Sequence, residues 1–108
     1  MVSEQIQGIL KQCKQALQEL YGDRFAGLVL YGSLARGDPG PESDIDLLVL
    51  LHGEVNTYSE IWPIVHALDP VQLEHCERLI SAKAVSSEDY HAGRWSFLSN
   101  AQRDGVAV

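Results

Sequence analysis

The sequence predicts an α/β (α+β) domain, a small mixed sheet flanked by helices, with residues 1–108 forming a single unit. Three observations predict it. An amphipathic helical pattern opens the chain, two short apolar runs at 25–31 and 44–51 read as buried strands, and helical spacing returns after them. With 45% apolar residues in 108 positions, one hydrophobic core can form and disorder is not expected.

The first element is a helix. Ile6, Ile9, Leu10, Cys13, Leu17, Leu20 and Tyr21 recur at helical spacing, with Ser3 placed to cap the start and Gly22 to stop it. FAGLVLY, residues 25–31, is a short apolar run broken by Gly32-Ser33, which predicts a buried strand. Leu34 to Gly37 suits one helical turn, and DPGPES, residues 38–43, is a loop by its Pro and Gly content. DIDLLVLL, residues 44–51, is the strongest strand signal. It is apolar on both faces after its acidic start, so it predicts a central strand covered on each side.

Tyr58, Ile61, Trp62, Val65 and Leu68 fit a second helix, in which Pro63 is tolerable only near the first turn. VQLEHC, from Val71, alternates like a third strand that can run on through Leu79 to Val85. Ser86 with Asp89 resembles a capping box, and a helical tail follows through Trp95, Leu98 and Ala101 to Gly105. Trp62, Trp95 and Phe97 are assigned to the core or to an interface rather than to base stacking.

Fifteen acidic residues against eight basic ones leave a net charge of −7. Such a surface repels phosphate backbones, so direct nucleic-acid binding is not expected, although a local basic site or a bound cation can still hold one nucleotide. No apolar run approaches the ~20 residues of a membrane span. The start, MVSEQIQGILKQC, lacks the basic region and cleavage site of a signal peptide. Cys13 and Cys76 lie far apart without CxxC spacing and read as small buried hydrophobes in a reduced, cytoplasmic chain.

The chemistry concentrates in LYGSLARGDPGPESDIDLLVLL. Asp44 and Asp46 stand two apart on a predicted strand, so both carboxylates leave one face, ~7 Å apart at their bases. Like charges that close at the head of a buried strand repel each other, and a divalent cation relieves both repulsion and desolvation. Magnesium prefers one or two carboxylates plus substrate phosphates, and this pair supplies the protein's share. Gly32 lets a phosphate approach the backbone, Ser33 adds a hydroxyl, and Arg36 can aim a guanidinium at the same place. An anion-binding turn beside a cation-binding strand is what nucleotide–magnesium chemistry needs.

Each part has a bland reading. Asp-x-Asp is most often a solvated strand end, Gly-Ser a plain turn and Arg36 a surface residue; the conjunction carries the inference. Competing motifs fail. No Gly-Lys-Ser/Thr makes 32–40 a Walker loop, and position twelve of an EF-hand starting at Asp44 is Val55 rather than Glu. His52, His66, His75 and His91 have no zinc-ligand spacing.

Gly32-Ser33, ten residues, then Asp44-Ile45-Asp46 resembles the signature of the DNA polymerase beta-like nucleotidyltransferase superfamily. GSLARG and SDIDLLV are similar to its minimal members, the MNT proteins. The resemblance implies that Gly32 and Ser33 hold the triphosphate of ATP, with Arg36 assisting, and that Asp44 and Asp46 bind magnesium, two ions in all. It also implies a third carboxylate on the neighbouring strand that joins the metal ligands and orients or deprotonates the acceptor. Glu74 in VQLEHCERL is the best match, with Asp69 and Glu77 behind it.

The implied reaction is nucleotidyl transfer: an acceptor hydroxyl attacks the α-phosphate and pyrophosphate departs. The chain has no room for a domain that grips an acceptor, so the acceptor is expected on a separate partner. MNT proteins are typically paired with a HEPN-domain ribonuclease, which they neutralise as antitoxins by binding it and adding AMP. The resemblance alone implies that partner. Two rivals stay open: an inactive module that neutralises a partner by contact, and a transferase acting on a small-molecule hydroxyl. Homo- or hetero-oligomers fit all three.

Overall fold

The computed structural model describes residues 3–32, 34–36 and 44–108. Helix α1 spans Glu4–Tyr21. The Ser3 hydroxyl accepts from the Ile6 amide at 3.3 Å, and Gly22 closes the helix at φ 54°. A single 3₁₀ turn, Gly22–Arg24, then leads into strand β1, Phe25–Tyr31. Strand β2, Ile45–Leu51, pairs antiparallel with β1 and sets Tyr31 opposite Asp46.

Helix α2 spans Ile61–Glu74. An Asn56 side chain that accepts from the Tyr58 and Ser59 amides holds the turn before it, so Tyr58 precedes the helix rather than opening it. Pro63 falls on the third helical position, where no intrahelical amide bond is lost. Strand β3, Ile80–Ser86, pairs parallel with β2, and α2 is the crossover that such a pair requires.

The strand expected from Val71 is thus helical up to Glu74, and β3 begins only at Ile80. The alternation of VQLEHC is real, but burial follows the helical series Ile64, Leu68, Val71. Gln72 fixes the switch between the two elements. Its amide nitrogen donates to the carbonyls of His75 and Arg78 at 3.1 and 2.8 Å, and its amide oxygen accepts from the Ile80 backbone at 2.8 Å.

Beyond β3 the expected tail is two helices, α3 at Ser87–Ala92 and α4 at Ser96–Asp104. Gly93, at φ 59° and ψ 42°, ends the first in the left-handed conformation and separates them. Ser86 caps α3 by accepting from the Asp89 amide at 3.5 Å. A short strand β4, Val106–Ala107, returns to the free edge of β1, giving the order β3-β2-β1-β4. No helix among the described residues is long and apolar enough to cross a membrane.

Alternation along β1 and β2 sorts the core into two layers. Leu28, Leu30, Ile45, Leu47, Val49 and Leu51 meet α1 and α2 through Ile9, Cys13, Leu17, Ile64 and Leu68. On the other face Val29, Leu48 and Leu50 meet Tyr90, Leu98 and Ala101 of α3 and α4. Every residue of β2 except Asp46 is buried. Cys13 is buried as expected, whereas Cys76 is exposed, because it sits in the turn after α2 rather than on a strand. Trp62, Trp95 and Phe97 are 68%, 57% and 42% exposed, so none of them belongs to the core.

Candidate active site

The site forms where β1 ends and β2 begins. Asp46 has the parity of Leu48 and Leu50, so its carboxylate leaves on the α3/α4 face but beyond the cover those helices give. Asp44, two residues earlier, is exposed at the strand mouth, and Asp46 is half-buried. Burial raises the Asp46 carboxyl above its ordinary pKa, the neighbouring Asp44 charge raises it further, and Lys83 and Arg36 oppose both effects.

Gly32 packs directly on that carboxylate. Its φ of 81° suits glycine, and a Cβ there would lie 2.5 Å from Asp46 Oδ2. Backbone and carboxylate are therefore in close apposition, and only a residue without a side chain permits it. The turn that follows is closed by the Arg36 amide donating to the Gly32 carbonyl at 3.2 Å. Leu34 anchors this turn in the α1/α2 layer and Arg36 stays exposed. Ser33 and residues 37–43 lie outside the described residues.

Glu74 does not join the pair. It ends α2, is exposed, and accepts from the Gln12 amide of α1 at 3.4 Å, which puts it with the helices on the opposite face of the sheet from Asp46. The runners-up share that side: Asp69 is an exposed residue of α2, and Glu77 accepts from Gln5 of α1 at 3.3 Å. The strand beside β2 is β3, ISAKAVS, which contains no acidic residue. Its position next to Asp46 is Ser81, and the next one on the same face is Lys83, beside Leu48. Among the described residues no three His, Cys, Asp or Glu side chains converge on one point.

Two neighbours went unread in the sequence. Tyr31 faces Asp46 across the ladder, and burial, then the Asp46 charge, raises its phenol pKa. Phe97 of α4 meets the Tyr31 ring edge-on, centroids 5.4 Å apart. A cleft of about 230 Å³ opens there, lined by Tyr31, Gly32, Arg36, Phe97, Asn100, Ala101 and Asp104. The aromatic just before Gly32 in the LYGS run is a signal for Tyr31; nothing local announces Phe97 at the site, which chain reversal brings back from far along the sequence. A larger groove of about 410 Å³ between α2 and β3 is mainly apolar and holds no cluster of charges.

Asp46 backed by Gly32, with Asp44 two residues earlier and Arg36 on the adjoining turn, makes a charged strand mouth beside the cleft. The family model for the nucleotidyltransferase domain matches residues 10–96. The chain belongs to that family.

This nucleotidyltransferase-domain chain is 32% identical over 103 residues to the "Putative protein adenylyltransferase MJ0141" of Methanocaldococcus jannaschii, covering 93% of this chain and 95% of that one. It is also 32% identical over 99 residues to the aminoglycoside nucleotidyltransferase (4') of Staphylococcus aureus. That match covers 92% of this chain but spans only 39% of the relative's length. In fold it is similar to a solved "putative nucleotidyltransferase" from Sulfolobus solfataricus, with TM-score 0.61, 20% identity, and coverage of 92% of this chain and 78% of the other.

Proposed function

We propose that this chain transfers AMP from ATP to a hydroxyl on a partner protein, and that the partner is a HEPN-domain ribonuclease which it restrains in the cytoplasm as an antitoxin. The observation that carries the transfer is Asp46 held against Gly32 and acted on by the Asp44 charge, with Arg36 on the adjoining turn. Likeness along nearly its whole length to a protein named for adenylylating proteins supports a protein acceptor.

Magnesium fits the residues present. Two carboxylates, one of them desolvated and pressed by its neighbour, match an ion that keeps part of its shell for substrate phosphates. Asp44 and Asp46 would hold it, and bound there it would supply Lewis-acid stabilisation of the charge that builds on the phosphates. Gly32 lets the triphosphate come against the backbone, and Arg36 offers a forked donor to its oxygens. With Glu74 on the far side of the sheet, the further carboxylate that lines the cleft beside Gly32 and Arg36 is Asp104 of α4, although no three acidic side chains converge on one point among the described residues.

The match to an aminoglycoside-modifying enzyme supports a second reading, a small-molecule alcohol as acceptor. One experiment separates the two. The chain is co-expressed with the HEPN protein, resolved by size exclusion, then incubated with magnesium and ATP labelled at the α-phosphate. A single peak with label on the partner is expected. Two peaks at micromolar concentration with an unlabelled partner sink the protein-acceptor reading, and label on an added aminoglycoside establishes the other.

A further inference from the structure

We propose that Lys83 is a phosphate-binding residue of this site, its ammonium taking an oxygen of the bound nucleotide's phosphates on the β3 side of the carboxylate pair. The inference rests on the nucleotide reading above and assigns that reading a second cationic arm.

Register comes first. Parallel pairing places Ser81 beside Asp46 and Lys83 beside Leu48, so the Lys83 side chain leaves the face that carries Asp46. Its ammonium then lies 5.2 Å from the centroid of the Phe97 ring, which in turn stands edge-on to Tyr31, the residue opposite Asp46. The Phe97 ring thus holds the ammonium itself at the rim of the site by a cation–π contact, and a head group already placed there loses less entropy when it engages a ligand.

The ammonium also makes no ion pair among the described residues: the pairs there engage Arg24, His75, Arg94 and Arg103, and Arg36 takes part in none of them either. Both nevertheless act on Asp46 through space. The strand order β3-β2-β1 sets the two on opposite flanks of Asp46, since Arg36 follows β1 and Lys83 belongs to β3.

Electrostatic balance favours a second arm. Magnesium held by Asp44 and Asp46 would offset their charges, and on a chain at −7, whose cleft also carries Asp104, a second cation beside Arg36 adds attraction for the polyphosphate. A lysine suits the role because its compact ammonium can meet any one phosphate oxygen without the planar geometry of a guanidinium.

The test uses Lys83→Met, which keeps an unbranched side chain of similar reach and removes the charge, and Lys83→Arg, which keeps the charge. Calorimetry with magnesium present measures affinity for inorganic tripolyphosphate and for an α,β-methylene ATP analogue, alongside thermal melting. Lys83→Met should weaken both ligands by roughly tenfold or more at an unchanged melting temperature, while Lys83→Arg keeps most of the affinity. Wild-type affinity in Lys83→Met, or equal loss in both variants, overturns the assignment. If the wild-type chain binds neither probe, the nucleotide reading itself falls, and the Lys83 assignment falls with it.

Discussion

The two faces of the sheet are built to different specifications. Toward α1 and α2, six strand residues from β1 and β2 meet two long helices, and Ile9, Cys13, Leu17, Ile45, Leu47, Val49 and Leu51 are wholly excluded from water. Toward α3 and α4, the buried set is Val29, Leu48, Leu50, Tyr90, Leu98 and Ala101, and the cover stops short of the strand ends. Asp46 emerges in that uncovered margin, with Arg36 and Lys83 on its flanks. Repulsion and desolvation at one margin are tolerable because the opposite layer, which carries no site charge, holds the strands in place.

The sharpest way to break the contrast is at Asp46 itself. Asp46→Asn keeps the shape and removes a charge, so transfer from labelled ATP should fall on the order of 10²–10³-fold while the circular dichroism spectrum is unchanged. Transfer close to wild type would remove the chemistry from this margin. Neighbouring leucines compare the faces directly. Leu47 and Leu48 are both 0% exposed, but they point into the larger and the smaller layer respectively. Leu47→Ala should cost about 2–5 kcal/mol in urea denaturation, and Leu48→Ala measurably less. Equal losses would show that α3 and α4 hold the sheet as firmly as α1 and α2 do.

Gly32 joins the two layers at the site. Gly32→Ala forces an L residue to φ 81° and a methyl against the Asp46 carboxylate, so about 1–3 kcal/mol of stability should go, together with nucleotide affinity. Affinity and stability at wild-type levels would mean that the turn relaxes freely.

The smallest effect concerns pH. The native state holds the Asp46 proton to a higher pH than the unfolded chain does, because its carboxyl is raised. Its contribution to stability is therefore greatest when both states are protonated and declines as pH climbs from the unfolded value, about 3.9, through the folded one. In chelator, Asp46→Asn should melt above wild type at neutral pH, and the gap should close by about pH 3. A gap that widens in acid would reverse the sign of the burial effect.

Local sequence settled much of this protein. The stripe on α1, the Ser3 and Gly22 boundaries and the doubly buried β2 follow from side-chain periodicity and chain stereochemistry, which neighbours along the chain fully express. Where α2 ends was not legible in the same way. VQLEHC alternates as a strand would, and it is helical because Ile64, Leu68 and Val71 bury against α1 and because Gln72 holds the chain for β3. Glu74 falls away from Asp46 for the same reason: it ends a helix, and the strand positions beside β2 on that face belong to Ser81 and Lys83. Only tertiary structure decided which strand lies beside β2, in what register, and that Phe97 returns to stand against Tyr31. Those are contacts between segments far apart in the chain, fixed by which apolar faces can be buried together, and no local pattern encodes them.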